Sequence, residues 1–363
     1  MKDLNVRRYP AEITFQNELS KIVDNDKHPT PPGWNMSPIA VEKFIIGDEK
    51  LQVQRKFIGD REQITRIIIS LVTNRGAMLV GEPGTAKSLL SELLAAAISG
   101  DSTLTVQGGA VDQVSQLLYS WDKSILKQHG HCKEALVPSP LYCAMRDGKL
   151  ARFEEIVRCP QHIQDAVLSI LSEGTLVIPE LSLTKGENVL FAKEGFNIIA
   201  TSNTRDLGLN QMSSALKRRM NFETIRPIPF VDDEIEIVNQ EATRLLKLSG
   251  VNVQPNIDVI SLLVTIFHEL RNGQSLDGRS TDRLSGTAMS TAEAVSVAHA
   301  LGVHAFYYRE SNMQIGDLVE FLIGATLKDN PEDRRRMRHY FETEVATKKG
   351  EAWREIYKKR FLF

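Results

Sequence analysis

The sequence predicts an α/β domain with a parallel sheet flanked by helices, followed by an all-helical domain. Short apolar runs alternate with helical stretches in the first two thirds of the chain, which is typical of strand–helix–strand units. These runs lie at 77–80, 103–106, 149–153 and 196–201. From about residue 232 onward helical periodicity dominates. We therefore expect an N-terminal extension and linker over 1–50, an α/β core over 51–231, and a helical lid with C-terminal helices over 232–363.

Helix signals in the first hundred residues support this division. An amphipathic pattern predicts a helix over 12–23, and Ser37 followed by Pro38 predicts the N-cap and first position of a second helix. The stretch 61–74 carries isoleucines at helical spacing, and 88–98 is rich in leucine and alanine. The last helix directly follows the strand predicted at 77–80 and a glycine-containing loop.

Composition limits the classes of function. The 363 residues are enough for two domains, and 44 basic residues against 46 acidic ones give a net charge of −2. This charge gives no reason to expect nucleic acid or an anionic membrane as a partner. No apolar run approaches the roughly 18 residues of a membrane helix, and the N-terminus lacks the apolar core of a signal peptide. Three cysteines suit a reducing compartment, so we expect a cytoplasmic protein.

A candidate phosphate-binding loop lies between the strand at 77–80 and the helix at 88–98. Glycines allow backbone N–H groups to turn toward a phosphate, and the helix N-terminus adds its dipole. In such a loop Lys87 reaches the β- and γ-phosphates of ATP, and the Ser88 hydroxyl ligates Mg²⁺. Ala86 stands where a second glycine is usual, which is tolerable if its φ is helical or extended. The predicted ATP-binding residues are Gly81, Glu82, Pro83, Gly84, Thr85, Ala86, Lys87, Ser88 and Leu89.

The loop sequence Gly-Glu-Pro-Gly-Thr-Ala-Lys-Ser resembles that of the MoxR family of AAA+ ATPases, which often carries alanine at this place. The segment Phe-Ile-Gly-Asp at 57–60 resembles the one that opens the family's core. The resemblance implies a AAA+ P-loop core, with ATP and Mg²⁺ as cofactors. It also implies that Ile58 and Gly59 lie near the adenine, although an ordinary strand-to-helix turn is the alternative for these two residues.

An acidic pair follows the strand predicted at 149–153. ATP hydrolysis requires one carboxylate for the metal and another for the attacking water. We assign Glu154 to Mg²⁺ and Glu155 to the general base, and the reverse assignment stays open. The sequence on both sides of the pair resembles the MoxR family, with two departures: Glu154 replaces an aspartate, and Arg152 makes the strand less apolar than a central strand should be.

The next predicted strand ends in an amide side chain. Asn203 resembles the first sensor of AAA+ proteins, and it can hold the attacking water between the acidic pair and the γ-phosphate. We prefer it to Thr201 and Ser202. Between the acidic pair and this strand, 175–179 and 189–191 predict a β-hairpin, a feature that MoxR-like proteins also have at this place.

Two arginines are assigned by resemblance. Arg219 resembles the arginine finger that serves the site of the next subunit, since a planar and permanently charged guanidinium suits charge on a phosphoryl group. Arg218 is its adjacent rival. Arg283 resembles the second sensor, an arginine at the start of a lid helix that reaches the γ-phosphate.

These residues together predict an oligomeric ATPase. The resemblance implies a ring or spiral of identical subunits, with a hexamer expected, that remodels a partner protein or helps to insert its cofactor. It further implies a partner with a von Willebrand factor A domain. One alternative is a nucleotide-gated scaffold that hydrolyses poorly because of Glu154 and the polar strand. The other is a DNA-dependent motor, against which the near-neutral charge counts.

Overall fold

The computed structural model describes residues 6, 8–181, 188–203, 211–281, 284, 289–327 and 331–363. The chain divides into two compact units. The first consists of Met1–Gly81 with Lys87–Ile225, and the second of Arg226–Phe363 with the short loop Glu82–Ala86.

A parallel sheet organises the first unit. Its strands are β1 (Gly76–Gly81), β2 (Thr105–Gln107), β3 (Tyr119–Trp121), β4 (Leu136–Pro138), β5 (Leu150–Glu154), β6 (Thr175–Val177), β7 (Val189–Phe191), β8 (Asn197–Asn203) and β9 (Met220–Ile225). Five of them form one sheet in the order β2–β5–β8–β1–β9, with parallel pairing throughout. The pairs β3–β4 and β6–β7 are antiparallel, so the predicted β-hairpin is present, and its tip at 182–187 lies outside the described residues.

The register of the sheet brings the carboxyl ends of three strands together. Gly81 at the end of β1 pairs with Asn203 at the end of β8, and Phe153 in β5 pairs with Ala200 in β8. Since parallel strands end at the same edge of a sheet, the carboxyl ends of β1 and β5 lie beside that of β8. This edge is the usual place for a ligand in an α/β domain.

Helices surround this sheet. They are α1 (Ala11–Thr14), α2 (Gln16–Asn25), α3 (Pro38–Ile46), α4 (Arg61–Val72), α5 (Lys87–Ser99), α6 (Val114–Leu117), α7 (Lys123–His129), α8 (Pro140–Asp147), α9 (Gln161–Asp165), α10 (Leu168–Glu173) and α11 (Ser214–Lys217). The Ser37 hydroxyl accepts a hydrogen bond from the Ala40 amide at 3.2 Å, so the predicted N-cap is confirmed. The helix predicted over 12–23 is divided at Phe15, where α1 ends and α2 begins.

The N-terminal helices pack as part of the first unit. The buried Lys56 ammonium lies between the Phe15 and Phe44 rings, 4.9 Å and 4.4 Å from their centroids, and forms an ion pair with Glu18 at 2.6 Å. A buried ammonium needs such a partner because its desolvation is costly. Helix α2, which carries Glu18, is thereby fixed to this unit.

Strand β9 has no counterpart among the strands that the sequence predicts. In the structure β9 pairs with β1 along its whole length, with only Met220 and Ile225 fully buried. An edge strand of this kind is half polar and lacks the apolar run that reveals a central strand.

The second unit is helical, as predicted. Its helices are α12 (Val231–Leu248), α13 (Ile257–Asn272), α14 (Thr291–Tyr308), α15 (Leu318–Thr326), α16 (Pro331–Thr343) and α17 (Glu351–Lys358). A buried ion pair of 2.6 Å between Glu234 and Arg271 joins α12 to α13. Within the described ranges, none of the helices of either unit combines the length and apolar character that crossing a bilayer requires.

Candidate functional site

The predicted phosphate loop lies where β1 ends and α5 begins. Two of its residues have left-handed backbones, Gly84 with φ +77° and Ala86 with φ +61°. Alternating helical and left-handed residues turn successive N–H groups toward one point and form an anion-binding concavity. Ala86 therefore does not have the helical or extended φ at which the sequence predicts that an alanine is tolerated without cost. An alanine in this region costs about 1–2 kcal/mol.

The side chain of Lys87 reaches back to the start of the phosphate loop. Lys87 is the first residue of α5 and is 6% exposed, and its ammonium donates a hydrogen bond to the Gly81 carbonyl at 3.2 Å. Inside the loop the Thr85 hydroxyl donates to the Glu82 carbonyl at 2.9 Å. The loop thus has internal hydrogen bonds and a cation at its base.

One carboxylate oxygen of Glu154 faces the helix that follows the loop. Glu154 Oε2 accepts hydrogen bonds from the Ser88 hydroxyl and from the Thr201 hydroxyl, both at 2.7 Å. Mg²⁺ prefers oxygen ligands and in P-loop proteins is held by a loop hydroxyl and an acidic side chain. Ser88 and Glu154 provide this combination, so the residues fit the metal.

The other oxygen of Glu154 faces a buried arginine. Glu154 Oε1 accepts from the Ser91 hydroxyl at 2.5 Å and from Arg152 Nη2 at 2.9 Å. Arg152 is 9% exposed and also donates to Ser91 Oγ and to the carbonyl oxygens of Ser102 and Ser88, at 2.9–3.0 Å. Arg152 therefore fits a central strand because each of its three guanidinium nitrogens has an acceptor.

The carboxyl of Glu154 is held in its ionised form. Burial by itself raises the pKa of Glu154, but the Ser91 hydroxyl, the Arg152 charge and two further hydroxyl donors outweigh this effect. The pKa of Glu154 consequently lies below its ordinary value. A carboxylate that is charged at neutral pH can attract a divalent cation.

The second acid has a different environment. Glu155 has a left-handed backbone, φ +54°, and its amide donates to Thr201 Oγ1 at 3.0 Å. Its carboxylate accepts from Asn203 Nδ2 at 3.4 Å and from Gln107 Nε2 at 3.3 Å, and Arg158 Nε lies at 3.2 Å. A left-handed glutamate is strained, and such strain is concentrated at functional sites. The structure thus brings Asn203 to Glu155, whereas Glu154 lies beside Ser88.

Other predicted residues lie around this centre. Leu89 is half-buried in the first turn of α5. Ile58 and Gly59 lie just before α4, and a Cβ on Gly59 would lie 2.6 Å from the Phe57 ring. The close approach of this ring gives Gly59 a packing role, and the adenine assignment of both residues stays a prediction.

The three predicted arginines are placed as follows. Arg219, between α11 and β9, donates hydrogen bonds to the Ser172 hydroxyl and to the Ala215 carbonyl. Arg218 is exposed. Arg283 lies outside the described residues, and helix α14 begins at Thr291 with Glu293 in its first turn.

Sequence reasoning did not give several polar partners a role in the site. These are Ser91, Gln107, Arg152, Arg158 and Thr201. Two signals could have found some of them. Ser91 is three residues after Ser88 on α5, and Arg152 is two residues before Glu154 on β5, so each shares a face with a predicted residue.

A phosphate loop between β1 and α5, together with two carboxylates at the carboxyl end of the parallel strand β5, defines a P-loop domain of the AAA+ class. Matches to family models agree: an AAA domain of the dynein-related subfamily matches residues 76–220, and the YehL-like AAA+ ATPase C-terminal domain matches residues 232–363. The protein YehL of Escherichia coli K12 is 49% identical over 357 residues, covering 98% of this chain and 97% of its own. The chain belongs to the family of YehL-like AAA+ ATPases.

More distant similarities are shorter or weaker. The protein SH1500 of Staphylococcus haemolyticus is 23% identical over 193 residues, which is 52% of this chain and 70% of its own. The solved structure of NtrX from Brucella abortus in complex with ATP has 14% identity and a TM-score of 0.49, and the match covers 82% of this chain and 59% of that one.

Proposed function

We propose that this protein is a Mg²⁺-dependent ATPase. The observation that carries the proposal is the pair of acids at the carboxyl end of β5. Glu154 accepts a hydrogen bond from the Ser88 hydroxyl, and Glu155 accepts one from Asn203 at the end of β8. Each acid thus has the neighbour that its role requires.

The chain's own residues have separate tasks in this reaction. Lys87 neutralises charge on the phosphates of ATP, and the loop N–H groups orient them by hydrogen bonds. The Ser88 hydroxyl and Glu154 would hold Mg²⁺, which would supply further charge neutralisation on the phosphates. Asn203 orients the attacking water beside Glu155, and the carboxylate of Glu155 accepts its proton.

The MoxR resemblance supports a finer proposal. Copies of the chain assemble into a ring or spiral, with a hexamer expected, and Arg219 acts at the site of the neighbouring subunit. The assembly works in the cytoplasm as a chaperone-like remodeller of partner proteins or as a helper in cofactor insertion. A protein with a von Willebrand factor A domain is the proposed partner.

A nucleotide-gated scaffold with weak hydrolysis is the second candidate. It is favoured by the ion pair between Arg152 and Glu154, because a partly neutralised carboxylate attracts Mg²⁺ less strongly. Turnover distinguishes the two candidates: both bind ATP, and only the first releases phosphate at a rate that rises with assembly.

Two substitutions test the site. Lys87→Ala should abolish ATP binding, whereas Lys127→Ala, an exposed lysine on α7, should not. Glu155→Gln should retain ATP binding and lower turnover by about 10²-fold or more. The exposed Glu62→Gln on α4 is its control. Equal ATP affinities of the Lys87→Ala variant and the unmodified protein would refute the site.

Partners can be identified with the same variant. Glu155→Gln should hold ATP without hydrolysis and so prolong ATP-dependent complexes. Proteins that copurify with Glu155→Gln in ATP, and not with Lys87→Ala, are the candidate clients. A von Willebrand factor A domain protein among them would support the proposed partner class.

A further inference from the structure

Strand β5 carries a buried cation that the proposed reaction does not require. A central strand of a parallel sheet is normally apolar, and an unpaired charge there is costly. Arg152 is nevertheless buried, two residues before Glu154 and on the same face of the strand. Its partners tie it to the start of α5 through the Ser88 carbonyl and to the segment before β2 through the Ser102 carbonyl.

The two oxygens of Glu154 are divided between two sets of neighbours. Oε1 faces Arg152 and Ser91, and Oε2 faces Ser88 and Thr201. The guanidinium thus fixes the rotation of the carboxylate and leaves Oε2 beside the metal-ligating hydroxyl. It also places a permanent positive charge on the same carboxylate that is to attract Mg²⁺.

We propose that Arg152 is a positioning residue that acts through Glu154 and sets the Mg²⁺ requirement of the nucleotide site. It orients Oε2 toward Ser88, and its charge opposes the binding of a second cation to the same carboxylate. The site consequently fills with Mg²⁺ only at a higher concentration than it would need without Arg152. This inference rests on the proposed ATP site.

The Mg²⁺ dependence of ATP affinity tests the proposal without relying on turnover. Affinity for a fluorescent ATP analogue is measured over a range of Mg²⁺ concentrations for the unmodified chain and for Arg152→Gln, Arg152→Met and Arg152→Lys. The first two variants remove the charge. If Arg152→Met does not fold, Arg152→Gln is the substitute, because its amide nitrogen takes the place of Arg152 Nε and can still donate to Ser91 Oγ. Arg152→Lys keeps the charge and loses the planar fork.

The expected result is a lower half-saturating Mg²⁺ concentration in both neutral variants, on the order of tenfold. The half-saturating Mg²⁺ concentration of Arg152→Lys should stay near that of the unmodified chain. Arg66→Met is the matched control, because Arg66 also forms an ion pair with a glutamate, Glu223, at 2.7 Å on the first unit. Its half-saturating concentration should not change.

Maximal turnover gives the second readout. The neutral variants should bind Mg²⁺ more tightly and yet not exceed the turnover of the unmodified chain, because Glu154 is no longer held in place. A folded Arg152→Gln variant with unchanged or raised half-saturating Mg²⁺ overturns the inference. Failure of the unmodified chain to bind ATP at any Mg²⁺ concentration overturns the proposed function instead.

Discussion

The left-handed backbone of Ala86 gives the most direct stability prediction. Its φ of +61° lies in the region that glycine enters freely and alanine enters at a cost. The substitution Ala86→Gly removes only a methyl group. It should therefore relieve the backbone strain of the phosphate loop without changing the chemistry of Lys87 or Ser88.

The size of the effect follows from two opposing contributions. A left-handed alanine costs about 1–2 kcal/mol, which glycine does not pay. Glycine also gives the unfolded chain more freedom, which destabilises the folded state by about 0.4–1 kcal/mol. The difference predicts a net stabilisation of up to about 1.6 kcal/mol, with about 0.8 kcal/mol as the central value.

Urea unfolding of the two proteins without nucleotide measures this difference. Ala292→Gly is the matched control, because Ala292 is exposed in the first turn of the helix α14. There the same substitution should destabilise by up to about 1 kcal/mol. If Ala86→Gly lowers the unfolding free energy as much as the control does, the reasoning about the loop backbone is refuted.

Three further predictions concern both units. Glu234→Gln should destabilise the second unit by about 3–5 kcal/mol in urea unfolding, because it leaves the buried charge of Arg271 without its anionic partner. The control Arg244→Ala breaks a partly exposed ion pair on α12 and should destabilise this unit by at most about 1 kcal/mol. Burial and the neighbouring Glu269 carboxylate raise the pKa of Tyr340 well above 10.0 in the folded chain. As the pH rises above about 10, the unfolded chain therefore loses this proton before the folded chain does, and the free energy of unfolding falls. Tyr340→Phe should reduce this alkaline loss, measured as the change in urea midpoint between neutral and alkaline pH. Mixed Arg219→Ala and Glu155→Gln subunits, each nearly inactive alone, should recover part of the ATPase rate; no recovery in mixtures shown to co-assemble would contradict action between subunits.

Local patterns were sufficient to predict the centre of the fold. The run 77–80, the glycine loop and the helix after it each have their own sequence signal, and β1 and α5 lie where those signals predict them. Strand β9 depends instead on pairing with β1, which supplies its hydrogen bonds. A sequence of mixed polarity does not reveal a strand that is formed mainly by its neighbour.

The same distinction applies to the site. Ser88, Glu154, Glu155 and Asn203 follow strand ends or begin a helix, so the parallel topology alone predicts that they lie at one edge. The sequence indicates Thr201 only as a rival to Asn203. In the structure, however, the Thr201 hydroxyl donates a hydrogen bond to Glu154 and accepts one from the Glu155 amide. These contacts depend on the register between β5 and β8, which no local pattern specifies.

The two departures from the MoxR pattern in β5 explain one another. Arg152 needs a buried acid, and a glutamate at 154 can share one oxygen with Arg152 while the other stays beside Ser88. An aspartate is shorter by one methylene, so it should keep one of these contacts at the expense of the other. The two residues are thus expected to work as one unit.

A double-mutant cycle tests this interdependence. Arg152→Leu removes the cation and gives β5 the apolar residue typical of a central strand, and Glu154→Asp restores the usual acid. Each single variant should lose stability in urea unfolding, because Arg152→Leu leaves a buried carboxylate without its cation and Glu154→Asp gives up one of the contacts of the longer side chain. The double variant should lose less unfolding free energy than the two single variants lose together, with a coupling energy of about 0.5–3 kcal/mol. Combining Glu154→Asp with Arg66→Leu should instead be additive within about 0.5 kcal/mol. Additivity of the Arg152 and Glu154 substitutions would show that the two departures are independent.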